Sequence, residues 1–240
     1  MYPLPQHITR PAFDLISPFL ALPFIRAGFW PLHTTLDSGN FPDWSPHGRT
    51  LTNNGATVHA LYNAFVGYAD LDGTDDYLSR ADEAGLDRTG SLTLGGWFWM
   101  DVLTATSGLI GKWNETGNQR SYLVFFNNAD DTARFIVSSD GTATTSVTGS
   151  VLAVNRWHFI VGRYNPSTET AVFVNGVKLV NTTSIPASIF AGTADFLIGS
   201  YNAGGNLLNG RAALCFMCDT NHSDIVIQSI FQQTRGFFDV

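Results

Sequence analysis

Acidic side chains in this chain lack the pairing that cleavage of a glycosidic bond requires. That reaction uses two carboxyl groups flanking the bond, and residues two positions apart share one face of a strand. Glu83, Glu115 and Glu169 each lack a carboxylate two positions away. The nearest pair with that spacing, Asp70 and Asp72, falls in an acidic turn. The histidines lie in dissimilar contexts and no Gly-x-Ser-x-Gly sequence occurs. We therefore expect no catalytic residues.

Aromatic residues offer a different chemistry, because their rings can pack against the apolar faces of a ligand. In the apolar segment 92–100, Trp97 and Trp99 share one face of an extended chain. A strand that is apolar on both faces is either buried twice or lines a groove. We assign Trp97 to the core and predict glycan binding by Trp99. Trp113 and Tyr122, which flank a loop, could belong to the same glycan-binding site. The alternative is that these aromatic rings pack in the core, with the arm or a neighbouring molecule covering the groove.

A tight acidic turn, Leu71-Asp-Gly-Thr-Asp-Asp-Tyr-Leu, brings several carboxylates close together in sequence. Asp72, Asp75 and Asp76 could chelate a cation, with Gly73 permitting the turn. Alternatively, the same side chains accept hydrogen bonds from the backbone of the turn, as Asp does readily. We favour the capped turn and expect no bound metal and no other cofactor.

Composition and charge exclude several partners. The formal net charge is −7 and no basic run occurs, which argues against nucleic-acid binding. The apolar stretch 12–25 is interrupted by Pro18 and Pro23 and is too short to span a bilayer, so we expect no membrane partner. Cys215 and Cys218 lie three residues apart and would point to opposite faces of a strand, so we expect two packing cysteines.

Three segments follow from the distribution of prolines and strand-like runs. Residues 1–27 are predicted to form an extended arm, because their repeated prolines prevent regular structure. Residues 28–218 are predicted to form a single β-sandwich, and residues 219–240 a tail. Apolar side chains of the arm are predicted to serve assembly with other subunits. The residues chosen for this role are Phe13, Leu15, Phe19, Leu22 and Phe24.

Within the sandwich, strand-like segments alternate with turn residues. The predicted strands start at Gly28 and continue at 50–52, 68–71, 77–79, 92–100, 108–112, 122–127, 133–138, 144–147, 158–164, 170–174, 177–180, 195–199 and 211–218. Asp140-Gly141 and Asn175-Gly176 suit two-residue hairpin turns, because both positions tolerate positive φ. In the tail, Ser223 is expected to cap a short amphipathic helix.

These segments resemble the laminin G-like members of the concanavalin A-like lectin/glucanase superfamily over residues 28–231. The motifs that carry the resemblance are Trp30-Pro-Leu, Asp43-x-Ser45-x-x-Gly48, the acidic turn at 71–78, Leu92-Thr-Leu-x-x-Trp97, Gly108-Leu-Ile-Gly-Lys112, Arg156-Trp157-His158, Val172-Phe-Val-Asn-Gly-Val, Leu197-Ile-Gly-Ser and Leu208-Asn-Gly-Arg211.

The resemblance implies an all-β fold, a two-sheet antiparallel jelly-roll sandwich that carries the extended N-terminal arm and the short C-terminal helix. It also implies a glycan-binding or adhesive module, in some members stabilised by calcium, and it does not imply catalysis. One departure concerns calcium: where the family usually has an Asp after Asn209-Gly-Arg, this chain has Ala212-Ala213. Loss of a charged oxygen ligand weakens a site for a hard cation.

The apolar arm leads to the expected function. An apolar segment of this kind would expose a large patch if it hung free, and arms that lace subunits together are common in viral particles. Together with the absence of a recognisable export signal, the arm leads us to expect a phage virion protein, as a capsid decoration or on the tail surface. It would be oligomeric, contact other virion proteins and display a lectin-like domain to glycans. The alternative is a free carbohydrate-binding lectin or adhesion module, extracellular or at the cell surface.

Overall fold

The computed structural model of the protein describes residues 28–33, 35, 39–60, 67–202 and 204–240. The predicted N-terminal arm therefore lies outside the described residues. The same is true of its predicted assembly residues Phe13, Leu15, Phe19, Leu22 and Phe24.

Strands dominate the described chain, as its β-branched and aromatic composition predicts. Their bounds are β1 Gly28–Trp30, β2 Thr52–Asn54, β3 Thr57–Ala60, β4 Gly67–Asp72, β5 Tyr77–Arg80, β6 Leu92–Met100, β7 Ser107–Asn114, β8 Gln119–Asn127, β9 Thr132–Ser138, β10 Thr144–Val151, β11 Trp157–Asn165, β12 Glu169–Val174, β13 Val177–Asn181, β14 Phe196–Ile198 and β15 Asn209–Cys218. A helix, α1, spans Asp224–Thr234, and 3₁₀ turns occur at Ala84–Leu86, Thr116–Asn118 and Arg235–Phe237.

The strands form two antiparallel sheets packed as a sandwich, which confirms the predicted fold class. Among the described residues, the first sheet has eight strands in the order β13-β12-β11-β6-β15-β4-β3, with β1 also paired to β15. The second has seven strands in the order β10-β9-β8-β7-β14-β5-β2. Strand β3 was not predicted; its residues pair with β4 at the edge of the first sheet.

One apolar layer lies on each side of the first sheet. Between the sheets, Phe98 and Met100 of β6 belong to the inner core. On the opposite face of the same strand, Trp97 is fully buried in a second layer formed with α1 and the residues after it. The strand is therefore apolar on both faces because it is buried twice, and the assignment of Trp97 to the core is confirmed.

Polar contacts fix the tail against the outer face of the first sheet. The Ser223 hydroxyl accepts a hydrogen bond from the Val226 amide, so Ser223 caps α1 as predicted. The Arg163 guanidinium donates to the Asp224 carboxylate over 2.6 Å at the start of the helix. At its other end, the Trp97 indole N–H donates to the Thr234 hydroxyl over 3.0 Å. The helix is therefore anchored to the sheet at both ends.

The two predicted hairpin turns differ. Asn175 and Gly176 connect β12 directly to β13 with φ of 50° and 81°, as a two-residue turn of this kind requires. The connection at Asp140-Gly141 is longer than predicted, and of this pair Gly141 alone has positive φ, at 87°. The Asp140 carboxylate caps the wider loop by accepting the backbone N–H groups of Thr142 and Ala143, each over 2.7 Å.

Cys215 and Cys218 are both free and buried, which agrees with the prediction of packing residues. Cys215 belongs to the inner core and Cys218 to the outer layer, on opposite faces of β15. Burial raises the pKa of both thiols. No helix in the described part of the chain combines the length and apolar character needed to cross a bilayer.

Candidate functional site

A row of four side chains crosses the outer face of the first sheet. Trp157 of β11 lies opposite Trp99 of β6, Trp99 lies opposite Arg211 of β15, and Arg211 lies opposite Asp70 of β4. Opposite residues of neighbouring antiparallel strands are direct side-chain neighbours. The sheet thus brings together residues that are far apart in the sequence.

The Arg211 guanidinium organises this row. Its Cζ lies 4.7 Å from the centre of the Trp99 ring and 5.1 Å from that of Tyr68, two positions before Asp70 on β4. Its Nε lies 3.5 Å from Oδ1 of Asp70. We call Tyr68, Asp70, Trp99, Trp157 and Arg211 the Trp99 cluster. Cation–π contacts and the carboxylate hold the guanidinium in one orientation.

Burial differs within the cluster. Trp157 is only 5% exposed, whereas Trp99, Tyr68 and Arg211 are half-buried. Trp99 lies 5.9 Å from Trp157 between ring centres, at an interplanar angle of 68°. Its indole N–H donates to Asp101 over 2.8 Å. The guanidinium covers part of the Trp99 ring, so Trp99 is not an open stacking face. Trp99 and the guanidinium thus lie side by side, and each is partly exposed.

Tyr68, Trp157 and Arg211 were not among the predicted site residues. Arg211 and Trp157 did fall within the motifs that carry the family resemblance, but those motifs did not indicate a binding role for either residue. Their contact with Trp99 depends on which strands are neighbours, and strand order cannot be read from the local pattern. The unusual feature in the sequence was Arg211 in a strand whose following residues are all apolar.

Trp113 does not lie near Trp99. It is 2% exposed and belongs to a small apolar cluster of the second sheet with Leu123 and Phe125. Tyr201 packs edge-on against it with ring centres 6.3 Å apart. The prediction of Trp113 as a glycan-binding residue is therefore corrected, because its ring is covered.

Tyr122 is also covered. It is fully buried between the sheets, and its hydroxyl donates to the Leu86 carbonyl over 2.7 Å. Burial raises the pKa of this phenol well above its ordinary value. The prediction of Tyr122 as a glycan-binding residue is corrected, because a ring in this position cannot contact a ligand in solution. Of the three predicted residues, Trp99 alone is partly exposed.

The acidic turn has the capped geometry that the sequence favoured. Carboxylate oxygens of Asp72, Asp75 and Asp76 lie within 4.8 Å of one another. Asp72 Oδ1 accepts the Thr74 N–H over 2.7 Å, and Asp76 Oδ2 accepts the Asp72 N–H over 3.1 Å. The hydrogen bond from Thr74 is the largest cause of the lowered pKa of Asp72, whereas burial raises the pKa of Asp76. These oxygens thus hold the turn itself.

Ala212 and Ala213 occupy the strand positions where the family usually has a charged ligand. Ala212 lies in the inner core opposite Phe98, and Ala213 lies in the outer layer opposite Trp97. Asn209, rather than either alanine, is the β15 residue opposite Asp72. Neither alanine can contribute an oxygen ligand from its side chain to the acidic turn.

The three glutamates are all engaged in ion pairs rather than facing each other. The pairs are Glu83 with Arg49, Glu115 with Arg120 and Glu169 with Arg163.

The class of protein follows from the fold and is supported by comparison with known families. A family model of the concanavalin A-like lectin/glucanases superfamily, laminin G-like in type, matches residues 72–213. The match covers more than half of the chain, so this protein belongs to that superfamily. A search of curated proteins found no match.

Several solved toxin binding domains have a similar fold. The binding domain of Paraclostridial Mosquitocidal Protein 1 aligns with a TM-score of 0.68 and 11% identity, over 86% of this chain and 52% of that one. The ligand binding domain of botulinum neurotoxin serotype D, solved with N-acetylneuraminic acid, aligns with a TM-score of 0.65 and 10% identity, over 90% and 52%. The binding domain of botulinum neurotoxin DC, in complex with SialylT, aligns with a TM-score of 0.62 and 10% identity, over 87% and 51%.

This chain spans about half the length of each of these solved structures. At identities this low the similarity concerns the fold. The protein is thus a lectin-like jelly-roll domain.

Proposed function

We propose that this protein is a non-enzymatic carbohydrate-binding module and that the Trp99 cluster contacts the glycan. One observation carries the proposal: a half-buried indole and a stacked guanidinium lie side by side on the outer face of a lectin-type sandwich. Sugar sites combine apolar ring surface with a few fixed polar groups. The ion-paired glutamates support the absence of a hydrolytic role.

The groups in the cluster suit the mixed surface of a sugar. The rims of Trp99 and Tyr68 can contact sugar C–H groups, and the Arg211 guanidinium can donate to ring or hydroxyl oxygens. Asp101 accepts the indole N–H of Trp99 and so holds the ring in place. Less side-chain conformational entropy then remains to be lost on binding. A rigid aromatic group of this kind typically carries much of the binding energy of a site.

The toxin binding domains support the proposal by analogy. Two of them were solved with sialic acid or with SialylT. Because this chain covers only about half of either, the analogy concerns the lectin-like fold and does not identify the sugar. In this proposal the protein acts outside cells or at a cell surface, where such glycans are displayed.

A glycan array probed with the full chain tests the proposal. We expect binding to a defined set of glycans, and we expect Trp99→Ala to reduce it by about ten-fold or more, the loss typical of a central aromatic contact. Tyr201→Ala is the matched control, since Tyr201 is a half-buried aromatic residue packed on the second sheet. An array with no bound glycan, or equal losses in both variants, would refute the proposed site.

A second candidate function is the structural role in a phage virion. It is supported by the apolar sequence of residues 1–27, which could anchor the domain to a capsid or tail and make it oligomeric. Light-scattering mass of the full chain and of a variant lacking residues 1–27 tests this role. An oligomer that becomes a monodisperse monomer on truncation would support the virion role. Two well-behaved monomers would leave the free lectin as the better explanation.

A further inference from the structure

We propose that Arg211 makes the Trp99 cluster selective for glycans that carry a carboxylate, such as sialic or uronic acids. This inference rests on the proposed lectin function and specifies the ligand class of the same site. It follows from how the guanidinium is held and from which of its donors remain available.

The guanidinium is fixed by contacts that do not consume its terminal amines. Two aromatic rings, of Trp99 and Tyr68, contact its Cζ at 4.7 and 5.1 Å. The Nε is buried and faces Oδ1 of Asp70 at 3.5 Å, a distance longer than that of a normal hydrogen bond. Asp70 therefore orients the guanidinium from its Nε side.

The two terminal amines of Arg211 retain solvent-accessible surface. No residue in the described ranges accepts a hydrogen bond from either of them. Of the three guanidinium nitrogens, Nε alone is both buried and without a hydrogen-bond partner. The side chain is 28% exposed although its Nε is buried. Two coplanar donors of a partly exposed guanidinium thus remain available beside Trp99.

This geometry matches a carboxylate better than a neutral hydroxyl. Two parallel N–H donors bind both oxygens of a carboxylate at once, and such charge-assisted pairs are about twice as strong as neutral hydrogen bonds. The stacked guanidinium is already oriented, so little rotamer entropy remains to be lost on binding. The nearest carboxylates do not accept from the terminal amines: Asp70 lies 3.5 Å from Nε, and Asp101 accepts from Trp99.

The test compares each acid with the same sugar after its charge has been removed. The probes are 3′-sialyllactose, a glucuronate disaccharide and a galacturonate trisaccharide, each with its carboxyl methyl ester. We expect at least one acid to bind the full chain about ten-fold more tightly than its ester. Arg211→Met, which keeps an unbranched stem, should bring that ratio close to one, and Arg211→Lys should restore only part of it.

Two further variants separate selectivity from general effects. Arg134→Met is the matched control, because Arg134 is also 28% exposed and paired with an aspartate, Asp130, but lies on the second sheet. It should leave the acid-to-ester ratio unchanged. Asp70→Asn removes the negative charge that faces Nε, so the acid-to-ester ratio should rise.

The outcomes distinguish this inference from the lectin proposal. If neutral glycans bind in a Trp99-dependent way and no acid exceeds its ester, carboxylate selectivity is refuted and the lectin function stands. If Arg134→Met lowers the ratio as much as Arg211→Met, the effect comes from overall charge and the inference is again refuted. If no glycan of any kind binds, both proposals fail together.

Discussion

Phe238, near the end of the tail, provides the sharpest test of the outer layer. It is 3% exposed and stacks on Trp97 with ring centres 4.2 Å apart and an interplanar angle of 15°. It also meets Trp157 edge-on at 4.9 Å. Phe238→Ala would remove both contacts and expose two tryptophans beneath. We expect the free energy of unfolding to fall substantially.

The magnitude follows from burial and ring contacts. Burying a phenylalanine side chain contributes about 2.5 kcal/mol, and two aromatic contacts add about 0.5 kcal/mol each. The expected loss is therefore about 3.5 kcal/mol, within the range typical of Phe→Ala substitutions in a core. With a urea m-value of about 3 kcal/mol/M for a domain of this size, the midpoint should shift by about 1 M.

Urea unfolding followed by tryptophan fluorescence measures this shift. Phe237→Ala is the matched control, since Phe237 is the preceding residue and only half-buried. Its shift should be about a third of that of Phe238→Ala or less. Because Trp157 also contacts Trp99, Phe238→Ala should weaken glycan binding as well. Equal shifts for the two variants would mean that the tail is not packed as described.

Two further predictions concern buried charged or ionisable groups. Lys112 is fully buried and paired with Asp82 and Asp87, at 2.6 and 2.7 Å. Lys112→Met should lower the free energy of unfolding by about 3 kcal/mol. Lys178→Met removes partly exposed ion pairs with Glu169 and Asp224 and should lower it by about 1 kcal/mol or less. Similar urea midpoints for the two variants would contradict this. Burial lowers the pKa of His158 below its ordinary value of 6.5. As the pH falls, the unfolded chain therefore binds a proton at His158 before the folded protein does. The free energy of unfolding should decrease as the pH falls below about 6.5. An NMR titration showing a His158 pKa at or above 6.5 would refute it.

Most of the fold was predictable from local sequence. Alternation of apolar residues located the strands, and Asn175-Gly176 specified a two-residue turn by the backbone conformations it tolerates. Strand β3 was not predicted because Thr57-Val-His-Ala is short and shows little alternation of apolar and polar residues. Asp140-Gly141 was misjudged because an Asp side chain can cap a wider loop as easily as a tight one.

The site was predictable only in part. Trp99 was correctly expected on the same face as Trp97, because side chains alternate along a strand. Tyr122 follows the same rule, yet nothing in its own strand reveals which face is covered or that the Leu86 carbonyl meets its hydroxyl. Arg211 acquires its role from neighbours on two other strands. Contacts of this kind depend on strand order, which local patterns do not encode.

The two cysteines offer a way to observe the two apolar layers separately. Cys215 is buried in the inner core and Cys218 in the outer layer, only three residues away on the same strand. A thiol reacts with a labelling reagent only when the layer around it opens. Labelling rates of two single-cysteine variants would therefore time the release of the tail independently of the separation of the sheets. One strand thus carries a pair of built-in reporters for two distinct opening motions.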